Sequence, residues 1–204
     1  PIRRELLERL EQARTDAPSE DPDRPPRLFV FGGSQGARAI NEAMTTAARE
    51  LTEALPGLEI WHQTGKTQVE AVRQGYADAG LDEPRVRVVS FIHDMSEPYA
   101  WCDAVLCRAG ATSLAELAAV GCPAVLVPFP HATDDHQTHN AASLVEAGGA
   151  VMVAERELDS QRLIGELAQL LGDRERLQRM REGMLGAARP EAASTIHEAL
   201  QQLA

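Results

Sequence analysis

Several scarcities narrow what this chain can be. Cysteine occurs three times in 204 residues, at Cys102, Cys107 and Cys122. An odd number in apolar stretches, without the paired close spacing of a zinc site, supports neither a disulfide framework nor a structural metal. The three read as reduced core thiols of a cytoplasmic protein. Lysine occurs once, at Lys66, against 19 arginines, a bias we attribute to coding and not to function. No apolar run approaches the roughly 20 residues that span a bilayer, and the opening Pro1-Ile-Arg-Arg-Glu5 is no signal peptide. A start at proline without methionine is expected of a piece cut from a longer protein. Positive charge is in deficit: 20 basic against 31 acidic residues leave a net charge of −11. That balance argues against general affinity for nucleic acid or anionic lipid, though not against a local basic pocket. Repeats and low-complexity segments are absent, as are a nucleophile elbow, a zinc finger, a Walker loop and a paired-carboxylate hydrolase site.

What is present is an ordinary globular composition, 44% hydrophobic and 25% charged, at a length that suits one domain or one half of a two-domain enzyme. Leu6, Leu7 and Leu10 mark a helix over 3–14, followed by a charged, proline-rich loop from Thr15 to Pro26. An alternation then begins. Strands are expected at 27–31, 58–62, 85–90, 103–107, 123–127 and 150–154. Helices are expected at 37–55, 67–79, 95–101, 113–120, 137–147, 159–171, 173–186 and 190–203. Segments such as Ala104-Val-Leu-Cys107 and Ala124-Val-Leu-Val127 are apolar throughout, as strands are when helices cover both faces of a parallel sheet. The predicted fold is α/β, a doubly wound, mostly parallel, Rossmann-like sheet. In such sheets ligands bind beyond the carboxyl ends of the strands, so the loops after strands are the places to search.

The first such loop is the most informative: Arg27-Leu-Phe-Val-Phe31 runs into Gly32-Gly-Ser-Gln-Gly36 and then into a helix. Glycines let the backbone come close to a ligand, and the following helix offers free N–H groups and a dipole to a phosphate. Ser34 adds a hydroxyl. The second loop, Arg108-Ala-Gly-Ala-Thr-Ser-Leu-Ala-Glu116, repeats the arrangement. Here Thr112 and Ser113 are placed to cap the helix, and Glu116 is open to two readings: the far end of a Ser-x-x-Glu capping box with Ser113, or an acceptor for the vicinal hydroxyls of a ribose. The third loop, Val127 to Asn140, gathers His131, His136, His139, Asp134 and Asp135. No helical His pair of metalloenzyme type is present, so the expectation is no metal; Gln137 and Asn140, opening a helix, carry donors and acceptors suited to sugar hydroxyls. Phe91-Ile-His-Asp-Met95 offers either an apolar slot for a flat base or plain core. His62-Gln63-Thr64-Gly65-Lys66 is either a cleft wall or a polar turn.

Together these segments resemble one family: the C-terminal, donor-binding domain of the MurG peptidoglycan glycosyltransferases. The resemblance is carried by Gly32–Asn41, Trp61–Gly65, Phe91–Met95, Arg108–Glu116, Gly121–Ala124, Val127–His131 and Asp135–Ala141, in the family's order, with Pro1-Ile2-Arg3 at the junction between domains. It implies the C-terminal half of a two-domain GT-B enzyme, with residues 1–26 as junction segment and loop, residues 27–204 as the donor-binding domain, and the N-terminal acceptor domain absent. It implies transfer of N-acetylglucosamine from its UDP donor, with inversion, to lipid I, giving lipid II for peptidoglycan. By the same resemblance Arg3 touches the donor from the junction, Ser34 and the turn Ala111, Thr112 and Ser113 hold the diphosphate, Leu114 and Ala115 continue that segment, Glu116 holds ribose, Ile92 holds uracil through its backbone, and Gln137 holds the sugar. His136 stands where some relatives carry a second glutamine. No cofactor is implied. The partners are UDP-N-acetylglucosamine and, through the other domain, a polyprenyl-diphosphate-linked acceptor, with no nucleic acid. The whole protein is expected to be peripheral on the cytoplasmic face of the bacterial inner membrane. The general base lies outside this chain. Alternatives are a related UDP-sugar glycolipid transferase and a non-catalytic nucleotide-sugar-binding module.

Overall fold

Alternating apolar residues on the strands decide the architecture. In the computed structural model, which describes residues 8–9, 24–192, 195 and 201, six strands form one all-parallel sheet. They are β1 (Arg27–Phe31), β2 (Glu59–Gln63), β3 (Val86–Val89), β4 (Ala104–Cys107), β5 (Ala124–Leu126) and β6 (Ala150–Met152). Among the described residues, the helices with full bounds that connect and follow them are α1 (Arg38–Ala54), α2 (Val69–Asp78), α3 (Ser96–Trp101), α4 (Ala111–Val120), α5 (His136–Glu146), α6 (Ser160–Leu171) and α7 (Arg174–Ala187). Short 3-10 turns precede α5 and α6. The helix expected over 3–14 and most of that over 190–203 lie outside the described residues.

The strand order is β3-β2-β1-β4-β5-β6. On β1, Leu28 and Val30 point to one face and Phe29 and Phe31 to the other, all buried, because side chains alternate along a strand. The first face packs Ile40, Met44, Leu51, Tyr76, Leu163 and Leu167 from α1, α2 and α6. The second packs Tyr99, Leu114, Leu117, Leu144 and Met184 from α3, α4, α5 and α7. Each such side chain contributes roughly 1.5–3 kcal/mol on leaving water, which is why apolar strands and one-sided helices settle in this layering. Cys102, Cys107 and Cys122 are all buried free thiols; Cys102 and Cys122 touch, Sγ to Sγ 3.6 Å.

Observed strands agree with expectation to within one or two residues. One helix boundary matters more: α4 begins at Ala111, two residues before the predicted start. Strand order reverses between β1 and β4, so the crevice of the fold opens above the ends of those two strands.

Candidate functional site

At the end of β1 the chain makes a tight turn, Gly36 N–H donating to Gly33 O at 2.9 Å. Gly36 has φ +77°, and a Cβ there would lie 2.0 Å from Thr64 O, so the loop rests directly on the backbone of the turn after β2. No L side chain fits that approach. Ser34 is exposed at the tip of the loop. Behind it, Gln63 Nε2 donates to Gly33 O at 3.1 Å and to Ser90 O at 3.3 Å. Asn41 Nδ2 donates to Thr64 O at 3.0 Å and to Gln68 Oε1 at 2.6 Å, which leaves Asn41 Oδ1 to accept from His62 Nε2 at 3.0 Å. His62 Nδ1 then accepts the hydroxyl of Tyr76 at 2.9 Å. His62 is fully buried, and desolvation holds its pKa down at about 3, so the ring is neutral and fastened at both nitrogens. The segment from His62 to Gly65 is therefore a buttress for the glycine loop.

The second loop excludes one of the two readings left open for Glu116. Gly110 is the N-cap of α4 and no side chain caps the helix; Ser113 is its third residue and Glu116 its sixth. Ser113 and Glu116 thus form no capping box. Glu116 instead lies on the second turn, 4% exposed, where it accepts the hydroxyl of Tyr99 at 3.2 Å. Burial, with the Glu116 charge beside it, pushes the Tyr99 phenol well above its ordinary pKa. Ala111 and Thr112 are exposed, Ser113 and Ala115 half-buried and Leu114 buried. Helix α1 starts the same way, with no side-chain cap and no acidic residue in its first turn. Of the Phe91–Met95 segment, Ile92 and Met95 are half-buried against the second core, whereas Phe91 is exposed.

In the histidine-rich loop the rings turn to their own backbone: His136 Nδ1 lies 2.7 Å from Thr133 O and His139 Nδ1 3.0 Å from Asp135 O. Asp134 and Asp135 both take left-handed backbone, φ +51° and +50°. Among the described residues no three His, Cys, Asp or Glu side chains converge as a metal site would require. Gln137 Oε1 accepts from the backbone N–H of Phe129 at 3.0 Å and of Ala109 at 3.2 Å, joining the loops after β4 and β5. Its acceptor end is therefore spent on the protein, and only the amide nitrogen remains for a ligand. Asn140 Nδ2 lies 3.5 Å from Ala109 O.

These loops enclose a cleft of about 600 Å3 lined by Gly32, Gly33, Gly36, Arg38, Glu42, Arg108, Gly110, Ser113, Phe129, Gln137 and Glu155. Both open helix starts face it. Arg108 reaches from the end of β4 across β5, donating to Val127 O at 3.3 Å and Pro128 O at 3.2 Å, and pairs with Glu155 beyond β6. Its guanidinium carbon lies 5.4 Å from the centroid of the Phe129 ring. Glu155 went unnoticed in the sequence, although it sits in a loop directly after a strand, the very position that singled out the other loops. Of the residues singled out in the sequence, Ser113 and Gln137 line this cleft, whereas Ser34, Ile92, Ala111, Thr112, Leu114, Ala115 and Glu116 are not in its lining and Arg3 falls outside the described residues.

Residues 27–197 match the glycosyltransferase family 28 C-terminal domain. The chain belongs to that family. It is 50% identical over 182 residues to a UDP-N-acetylglucosamine--N-acetylmuramyl-(pentapeptide) pyrophosphoryl-undecaprenol N-acetylglucosamine transferase of Nitratidesulfovibrio vulgaris (strain DP4), covering 89% of this chain and 49% of that protein. To the like-named protein of Anaeromyxobacter sp. (strain Fw109-5) it is 46% identical over 205 residues, 100% of this chain and 51% of that one. The crystal structure of Acinetobacter baumannii MurG superposes with a TM-score of 0.80 at 34% identity, over 97% of this chain and 55% of that one. The chain thus spans about half the length of the curated relatives it matches. Among the described residues no helix is long and apolar enough to cross a membrane.

Proposed function

We propose that this chain is the donor-binding half of an inverting GT-B glycosyltransferase that moves N-acetylglucosamine from UDP-N-acetylglucosamine to lipid I, giving lipid II. The observation that carries this reading is the pair of uncapped helix starts, α1 behind the glycine turn and α4 behind Gly110, lining one cleft at the β1/β4 switch point. Two sets of free N–H groups and two dipoles suit a diphosphate, and they stabilise its charge as the leaving group departs, a role that needs no metal. Ser34 and the residues Ala111 to Ser113 hold the phosphates. Glu116, on the second turn of α4, takes the ribose hydroxyls, with Leu114 and Ala115 in the segment that leads to it. Backbone groups of Ile92 receive uracil. The Gln137 amide nitrogen donates to the sugar, and Arg3 reaches the donor from the junction. The curated relatives' names support this donor and a lipid-linked acceptor, and their greater length supports a second domain that brings the acceptor and the general base. Phe91 and Phe129 are 41% and 40% exposed, and exposed aromatic side chains suit a surface that such a domain closes upon. The whole enzyme then sits peripherally on the cytoplasmic face of the inner membrane, where its acceptor lies.

The test is calorimetry of the 204-residue chain with UDP and UDP-N-acetylglucosamine, beside a transfer assay with a lipid I analogue. Both nucleotides should bind and no transfer should occur. Transfer by this chain alone would sink the half-enzyme reading. Glu116→Gln keeps an acceptor for Tyr99, so it should preserve the melting temperature while weakening UDP by roughly tenfold, the effect of losing a charge-assisted hydrogen bond. Equal affinity for UDP in parent and variant would remove Glu116 from the ribose site.

A further inference from the structure

Gln137 and Glu155 line the same cleft, and each has one end fastened to the protein. Gln137 Oε1 is held by two backbone N–H groups, so its amide nitrogen faces outward chemically as a pure donor. Glu155 Oε2 is held by Arg108, and its second oxygen stays available as an acceptor. The side chains of Arg108 and Glu155 are 12% and 26% exposed, so the carboxylate reaches the cleft while its partner is mostly covered. Arg108 is itself fixed by the carbonyls of Val127 and Pro128, which leaves Glu155 little freedom to turn away.

We infer that Glu155, positioned by Arg108, is a specificity-determining residue of the donor site, accepting a hydrogen bond from a hydroxyl of the transferred sugar while Gln137 donates to its neighbour. A ring hydroxyl both donates and accepts, so a fixed donor beside a fixed acceptor is the arrangement that reads vicinal hydroxyls. The ion pair explains how a carboxylate tolerates this place. A bare Glu155 would repel the nearby diphosphate, whereas the Arg108 charge cancels its own and leaves the lone pairs of its second oxygen free. Topology agrees: β4, β5 and β6 are adjacent, so the residues after them, Arg108, Gln137 and Glu155, form a row leading away from the two helix starts. A donor with its phosphates on those helices extends its hexose along that row. The inference rests on the donor-site reading above.

Calorimetry of the full 204-residue chain tests it, using UDP, UDP-N-acetylglucosamine and its 3-deoxy and 4-deoxy analogues, against parent and Glu155→Ala. In the parent, one deoxy analogue should bind roughly tenfold more weakly than the full sugar, as expected when a site built for a hydroxyl meets hydrogen. In Glu155→Ala, UDP affinity should stay within about twofold while the full sugar falls to the level of that deoxy analogue. Equal weakening of UDP and the sugar nucleotide would make Glu155 a loop support and overturn the inference. So would a parent indifferent to both deoxy analogues, a measurement that decides the matter even if Glu155→Ala does not fold. If the parent bound no UDP at all, the donor-site reading would fail first and this inference with it.

Discussion

Four helices of this domain start in two different ways. Helices α6 and α7 begin under aspartates, Asp159 accepting from Arg162 N–H at 2.8 Å and Asp173 from Arg176 N–H at 2.9 Å. Helices α1 and α4 begin under no side-chain cap, as α2 and α5 also do, but α1 and α4 are the pair that opens on the cleft at the ends of β1 and β4. A cap satisfies the orphan amides of a helix locally and adds about 1 kcal/mol of stability; an open start forgoes that and keeps the amides and the positive dipole end for an anion. The open helices are held instead from the side. Asn41 on α1 is tied to His62 and Thr64, and Glu116 on α4 to Tyr99, each a buried polar contact below the first turn. On α1 stability is thus supplied away from the open end proposed to meet the ligand, whereas on α4 the supporting residue, Glu116, is also the one proposed to hold ribose.

The change expected to break this division most severely is Gly36→Ala. Its Cβ would meet Thr64 O, and its φ is left-handed, so the glycine turn and its buttress must separate. A loss of about 3 kcal/mol or more in urea unfolding is expected, together with loss of UDP binding. A stable variant that binds normally would show that the turn is not the cradle.

Acid should act next, through His62. Its pKa is about 3 in the fold against 6.5 for the free side chain. Between those values the unfolded chain binds a proton that the folded chain refuses, so this group's contribution to stability is complete above pH 6.5 and shrinks as pH falls. The slope is about 1.4 kcal/mol per pH unit. Denaturant unfolding from pH 7 to pH 4 should show it, and His62→Gln should flatten the curve. An unchanged slope in that variant would remove His62 from the support of α1.

Placing an acid on an open start sharpens the contrast. Thr112→Asp should raise stability by roughly 0.3–1 kcal/mol, through the dipole, while weakening UDP by tenfold or more through like-charge repulsion. If UDP binds the variant as well as the parent, the diphosphate does not lie on α4. The smallest effect is the converse: Asp159→Ala should cost about 1 kcal/mol of stability and leave UDP affinity alone. A fall in affinity there would mean that the two classes of helix start are not functionally separate.

The sequence by itself determined the layering and the ends of nearly every element, because strand and helix periodicity, glycine turns and apolar runs are local properties of the chain. It also determined where to look, since a strand followed by a glycine turn and a helix is written contiguously at Gly32–Gly36 and again after Arg108. Three things were decided only by tertiary structure. The start of α4 at Ala111 removed the capping-box reading of Glu116, one of the two left open, and set the residue in the core against Tyr99, a contact 17 residues apart in sequence. Gln137 lost its acceptor end to two loop amides that no helical spacing could indicate. Arg108 and Glu155, 47 residues apart, met only because the strand order sets β4, β5 and β6 side by side. Local patterns fix what a segment becomes; which side chains share a cleft depends on how strands are ordered, and that order is a property of the whole packed sheet.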